Sequence, residues 1–187
     1  MGQKTVTVEE LIERLWIAPD SAEWTPKTDR LPLVELKQWM QSDDMEVLGF
    51  IDGLIHDGRF KIEPPLTMAE YVAWVKCYYG RCFRENPDSE WADSSYSAGW
   101  TLVRVFIKLW DDEAVPRQVL SDLKGWLAAL YQGGDFRLRT CIVNASLEHL
   151  FERKAIREYF ADWKNDPTLA PAYAEACLWD KKTPLSR

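Results

Sequence analysis

Apolar residues recur at helical spacing along almost the whole chain. Behind a Thr7-x-x-Glu10 capping box, Val8, Leu11, Ile12, Leu15 and Trp16 share one stripe. Residues 18–32 carry Pro19, Pro26 and Pro32 and read as an ordered loop or tether. A short helix is predicted over 33–40. The next is capped by Asp43 or Asp44, carries Val47, Phe50, Ile51, Leu54 and Ile55, and stops at Gly58. Pro64-Pro65 breaks the chain, and Thr67-x-x-Glu70 is a second capping box. The helix behind it has two stripes, Met68, Val72, Val75, Tyr79 and Tyr71, Trp74, Tyr78, and ends at Asn86-Pro87. So wide an apolar circumference predicts a central position.

After a polar loop over 85–95, SYSAGWTLVRVFIKLW leaves only Thr101, Arg104 and Lys108 as a thin polar stripe, with Trp100, Val103, Ile107 and Trp110 facing the other way and Leu102, Val105, Phe106 and Leu109 between. This predicts a second central helix over 96–110. Asp111-Asp112-Glu113 before Pro116 suits the first turn of a new helix, with Val119, Leu120, Leu123, Trp126, Leu127, Leu130 and Tyr131 on its stripe and Gly133-Gly134 at its end. Val143, Leu147, Leu150 and Phe151, then Ile156, Tyr159, Phe160 and Trp163, continue the period to a turn at Asn165-Asp166-Pro167. Leu169, Tyr173, Ala176, Cys177 and Leu178 mark a last helix, followed by a basic tail over 181–187. No run alternates strictly between turn dipeptides, so little or no sheet is expected. The fold class expected is all-α: one domain over 1–187, as a multi-helix bundle or a short irregular α-solenoid of about eight or nine helices, interrupted only by the proline loop at 17–32.

Composition narrows the functional classes. The 187 residues are 47 % hydrophobic and 28 % charged, a globular balance. A chain of this length buries about 70 % of its unfolded surface and needs no metal or disulfide to fold. Its net charge of −7 argues against a nucleic-acid partner, which requires a basic face. No apolar run follows a basic start as in a secretory signal, and none is long enough to span a membrane, so a cytoplasmic protein is expected. Gly2 follows Met1, but Val6 stands where a myristoylation motif has Ser or Thr.

Recognisable catalytic chemistry is missing. Cys77 and Cys82 stand about 140° apart on a helix, the wrong geometry for a shared metal, and Cys141 and Cys177 are isolated; all four read as small buried hydrophobes. No zinc, EF-hand, dinucleotide or P-loop motif occurs, so no metal or cofactor is expected. His56 reads as a last-turn residue suited to a helix dipole, and His149 as an edge residue near Ser146. No catalytic residue is assigned.

The ten tryptophans mostly fall on apolar stripes. Trp24, in the proline loop, and Trp91, between Glu90 and Ala92, do not. A loop tryptophan among acids has the composition of an interface anchor with a steering rim, or else folds back to cover the core. Acids also cluster at predicted helix ends or in loops: Asp43, Asp44 and Glu46; Glu85, Asp88, Glu90 and Asp93; Asp111, Asp112 and Glu113. The partner-binding candidates are therefore Asp88, Glu90, Trp91, Asp93, Asp111, Asp112 and Glu113.

The stretch CIVNASLEHLFERKAIREYFADW over 141–163 resembles the C-terminal part of uncharacterised all-helical bacterial proteins found near polymorphic toxin systems as immunity proteins. The resemblance covers a fifth to a third of the chain and transfers no catalytic residue. It implies a non-enzymatic protein that binds another protein, a basic toxin domain, through an acidic surface. Two alternatives stay open. One is a small-molecule binder or enzyme with an aromatic pocket of Tyr71, Trp74, Tyr78 and Trp100. The other is a helical scaffold with a solenoid groove.

Overall fold

The computed structural model describes residues 5–17, 29–57 and 60–179. The expectations for Trp24 and the proline loop up to residue 28, the Gly58 stop and the basic tail lie outside these residues. Of those described, 73 % are helical, and the fold is mostly all-α with one two-stranded parallel sheet. Contacts divide the chain into two compact units, 1–74 with 89–92, and 75–88 with 93–187.

In the first unit, α1 (Val8–Ile12) starts at the predicted capping box: the Thr7 hydroxyl accepts the Glu10 N–H at 3.1 Å and Glu10 accepts the Thr7 N–H at 3.3 Å. The helix runs on into a π-helical turn, Glu13–Ile17. Strand β1 (Asp29–Pro32) leads into α2 (Leu33–Trp39) and α3 (Met45–His56), and β2 (Phe60–Glu63) returns parallel to β1 with Asp29 opposite Phe60 and Pro32 opposite Glu63. Thr5 bridges to Arg30, and the Val6 N–H donates to the Arg30 carbonyl at 2.9 Å. The two strands hold four residues each: Phe60-Lys61-Ile62-Glu63 alternates apolar and polar residues but is too short to stand out, and Asp29-Arg30-Leu31-Pro32 does not alternate. Their pairing follows from the two-helix crossover, as a parallel connection requires. Val6, Val8, Leu11, Leu31, Leu36, Leu48, Phe50 and Ile51 form the core of this unit.

Helix α4 (Met68–Glu85) opens on the second predicted capping box. Thr67 Oγ1 accepts the Glu70 N–H at 3.3 Å, and the Glu70 carboxylate accepts the Thr67 N–H at 2.8 Å and a charged hydrogen bond from Lys37. The Lys37 ammonium first, and the Thr67 donors second, lower the Glu70 pKa from 4.5 to about 2. A carboxylate depressed by folding stabilises the fold above its ordinary pKa, and this contribution is lost as pH falls from about 4.5 through about 2. Glu70→Gln should therefore flatten the acid-unfolding curve in that window and leave the slope between pH 6 and 7 unchanged (roughly the range above any normal carboxylate titration). Equal slopes at low pH in the two proteins would refute it.

In the second unit, α5 (Ser95–Asp111) packs against α6 (Arg117–Gly133), α7 (Phe136–Ile142), the π-helical turn Val143–Leu147 and α8 (Glu148–Phe151). After these come α9 (Lys154–Tyr159), a 3-10 turn Ala161–Asn165, and α10 (Ala170–Trp179). Asp135 caps α7 through the Leu138 N–H at 2.8 Å, seven residues before the apolar period suggests a helix. The signal is late because Arg137, Arg139 and Thr140 interrupt this short helix and Phe136 faces solvent; the π turn that follows shifts the phase, so that Ala145, Ser146 and Leu147 are buried consecutively. Two arginines of α7 close neighbouring helices. Arg137 donates to the Phe83 and Arg84 carbonyls of α4 at 3.1 and 2.9 Å, and Arg139 to the Tyr131 and Gln132 carbonyls of α6 at 3.0 and 2.9 Å. Cations on the last carbonyls of a helix satisfy orphan acceptors and oppose the negative dipole end.

The buried face of α5 holds Val103 of the predicted stripe and the apolar positions Leu102, Val105, Phe106 and Leu109 beside it, together with Ala98 and Gly99, whereas Trp100 is 55 % exposed. Gly99 decides this. The Ser146 hydroxyl donates to its carbonyl at 3.3 Å, and a Cβ at Gly99 would meet that of Ala145 at 2.5 Å. The small residues, not the largest ones, make the closest helix contact. Cys82 and Cys141 are buried as expected, but Cys77 is exposed and Cys177 half-buried.

Candidate functional site

The acidic candidates fall into separate places. Glu90 and Trp91 belong to the first unit, where Glu46 in the first turn of α3 accepts the N–H of Glu90 at 3.2 Å and of Trp91 at 3.0 Å. The Trp91 ring folds back onto Phe50, edge-on at 5.0 Å between centroids, and onto Trp16 at 5.7 Å. Its indole N–H is buried without an acceptor. Of the sequence's two options for this loop tryptophan, the structure shows the ring covering the core. Glu90 is exposed.

Asp88, Asp93 and Asp111 to Glu113 belong to the second unit. Asp88 is exposed. Asp93 is engaged: its N–H donates to the Tyr78 oxygen at 3.0 Å, and its carboxylate accepts from the Ser97 hydroxyl and from Tyr78 at 3.4 Å. Asp93 precedes α5 and Asp111 ends it. Seventeen helical residues put these two about 25 Å apart. They do not form one patch.

The turn after α5 is the more open acidic feature. Asp111 receives both hydrogen bonds of one Arg153 nitrogen, at 2.6 and 2.8 Å. Asp112 accepts the Ala114 N–H at 2.9 Å and so shapes the turn. Glu113 is exposed. Asp112 and Glu113 line a cleft of about 230 Å³ with Trp110 and Arg117, whose guanidinium lies 4.6 Å over the Trp110 ring. Two carboxylates and an aromatic wall under a cationic cover can exchange Arg117 for an incoming cation at little electrostatic cost.

No family model, curated protein or solved structure matches this chain.

Sequence reasoning missed one polar cluster in the first unit. Asp52, on α3, is 6 % exposed and accepts the Trp74 indole N–H at 2.8 Å. His56 Nδ1 lies 3.0 Å from the Asp52 carbonyl and 3.3 Å from its carboxylate, and His56 Nε2 lies 3.0 Å from the Tyr71 hydroxyl. Burial, and then the Asp52 charge, push the Tyr71 pKa up to about 12, so the phenol keeps its proton. All partners are satisfied when Tyr71 donates to Nε2 and Nδ1–H faces Asp52. The signal was present: Asp52 and His56 stand at i, i+4 on an otherwise apolar helix face, as do Tyr71 and Trp74 at i, i+3. The cluster ties the last turn of α3 to the first turns of α4.

The aromatic-pocket candidates do not converge. Trp74 serves Asp52 and Tyr71 serves His56 in the first unit. Tyr78 is fully buried in the second, and Trp100 stacks on His149 at 4.3 Å. None of the four lines the cleft beside Trp110. Among the described residues, no group of His, Cys, Asp and Glu could hold a metal, and no helix is long and apolar enough to cross a membrane.

Proposed function

We propose that the chain is a non-enzymatic interaction protein that binds a basic protein partner through the acidic turn after α5. The observation that carries this reading is the cleft beside Trp110, where Asp112 and Glu113 present carboxylates at the surface of a protein of net charge −7. A lysine or arginine of the partner fits there, its charge against the two acids and its stem along the indole. The long-range field raises the association rate, and the aromatic wall supplies contact. The resemblance of 141–163 to immunity proteins makes a toxin domain the specific partner proposed, blocked by occlusion.

The test is co-expression and affinity measurement with a toxin domain encoded beside this chain. Asp112→Asn with Glu113→Gln should weaken binding about tenfold, chiefly by slowing association at low salt. Asp88→Asn with Glu90→Gln should leave it within a factor of two or so. The reverse ranking would place the interface on the other acidic loop and refute this one. No protection and no binding would remove the immunity reading.

A further inference from the structure

The cleft after α5 already holds a cation, and that cation belongs to the chain itself. Arg117, the first residue of α6, is exposed and lays its guanidinium 4.6 Å over the Trp110 ring. The indole is a fixed surface. Phe106 lies nearly parallel to it at 6.4 Å between centroids, and Tyr159 meets it edge-on at 5.3 Å. Leu109 and Val115, both buried, complete the apolar part of the lining. Of the three acids in the turn, Asp111 is answered by Arg153 at 2.6 and 2.8 Å, and Asp112 is oriented by the Ala114 N–H at 2.9 Å. The ring face under Arg117 is therefore the part of the cleft whose fit to a cation is given by a measured contact.

At about 230 Å³ the cleft is smaller than a small-molecule site and takes one long side chain. A flat ring face suits a guanidinium, which stacks on it while its edge N–H groups stay free for a carboxylate. An ammonium is a compact charge that cannot stack, and it gives up more hydration on leaving water. The chain's own occupant is a guanidinium, so an incoming arginine replaces like with like. The exposed acids Asp112 and Glu113 attract either cation at long range, and the ring makes the distinction. An exposed cation–ring contact such as that of Arg117 is weak enough to be displaced, yet it competes with a newcomer by about twofold to fivefold in affinity.

We propose that the side chain received beside Trp110 is an arginine of the partner, and that Arg117 is its built-in competitor, covering the indole face until the partner's arginine displaces it. This rests on the acidic-turn reading above and adds to it a preference for arginine over lysine and an internal restraint on affinity. Arg117 opens α6 with its side chain at the surface, so it leaves the ring for solvent with the helix intact.

The probes are N-acetyl-arginine amide and N-acetyl-lysine amide, titrated separately into the full chain while the Trp110 indole N–H is followed by NMR. Saturable binding in the millimolar range is expected, with the arginine amide about threefold or more the tighter. Arg117→Gln should tighten the arginine amide about twofold to fivefold. Lys108→Gln removes the same charge from the exposed face of α5 without uncovering the ring, and should leave the affinity within about 1.5-fold of the parent. No saturation, equal affinity for the two amides, or an Arg117→Gln protein that binds no more tightly than Lys108→Gln would each overturn the proposal. Its failure is distinguishable from failure of the acidic-turn reading. Equal affinities that both fall in Asp112→Asn with Glu113→Gln refute the arginine preference alone, whereas a toxin domain bound as tightly by that double variant as by the parent refutes the acidic turn.

Discussion

Gly49→Ala is expected to cost about 1–3 kcal/mol of stability, while Gly53→Ala on the same helix gains about 0.5–1 kcal/mol. A Cβ at Gly49 would lie 2.3 Å from the Trp91 carbonyl oxygen and 2.7 Å from the Ala92 Cα. These are backbone atoms and cannot rotate aside as a side chain could. The turn 89–92 would have to lift, taking its N–H groups off Glu46 and the Trp91 ring off Phe50. At Gly53 an added Cβ meets nothing within 4 Å, and only the helix-propensity gain remains. Urea unfolding of both variants measures the difference. A Gly49→Ala protein as stable as the parent would show that the turn does not rest on α3.

Phe160→Ala should be the more damaging change, at about 3–5 kcal/mol. Phe160 is 0 % exposed and its ring meets Trp163 at 5.1 Å, Phe151 at 5.6 Å and Phe106 at 5.8 Å between centroids. Truncation leaves a cavity at the meeting point of three helices, with aromatic walls too rigid to collapse into it. Trp100→Ala is the contrast. That ring is larger but 55 % exposed, and it loses only the stack on His149, so a cost of about 1 kcal/mol or less is expected. Thermal unfolding in the absence of ligand separates the two. Similar losses would mean that Trp100 carries packing its exposure does not reveal.

The sequence announced the acidic turn only in part. Asp112 and Glu113 are legible because acids preceding a proline stand out in any window. What the window cannot show is that the neighbouring Asp111 is answered by Arg153, 42 residues away, or that Asp93 is engaged by Tyr78 and Ser97. Arg84 and Arg137 come together across 53 positions, and the carbonyls that fix Arg137 are backbone atoms without a sequence signature.

Trp91 and Trp100 trade the roles that local pattern gives them. The one in a loop packs on Phe50 and Trp16, and the one on a helical stripe faces solvent. In both cases a glycine is responsible. Gly49 lets the 89–92 turn approach α3, and Gly99 lets the π turn approach α5, rotating the large neighbour outward.

By itself the sequence determined the helices, the two capping boxes at Thr7 and Thr67 and the acidic character, because these depend on residues within one or two turns of each other. Only the tertiary structure decided the parallel strand pair, the phase shift at 143–147 and which aromatic faces out. Each of these is fixed by partners tens of residues away, where backbone hydrogen bonds and close contacts at glycine outweigh local propensity.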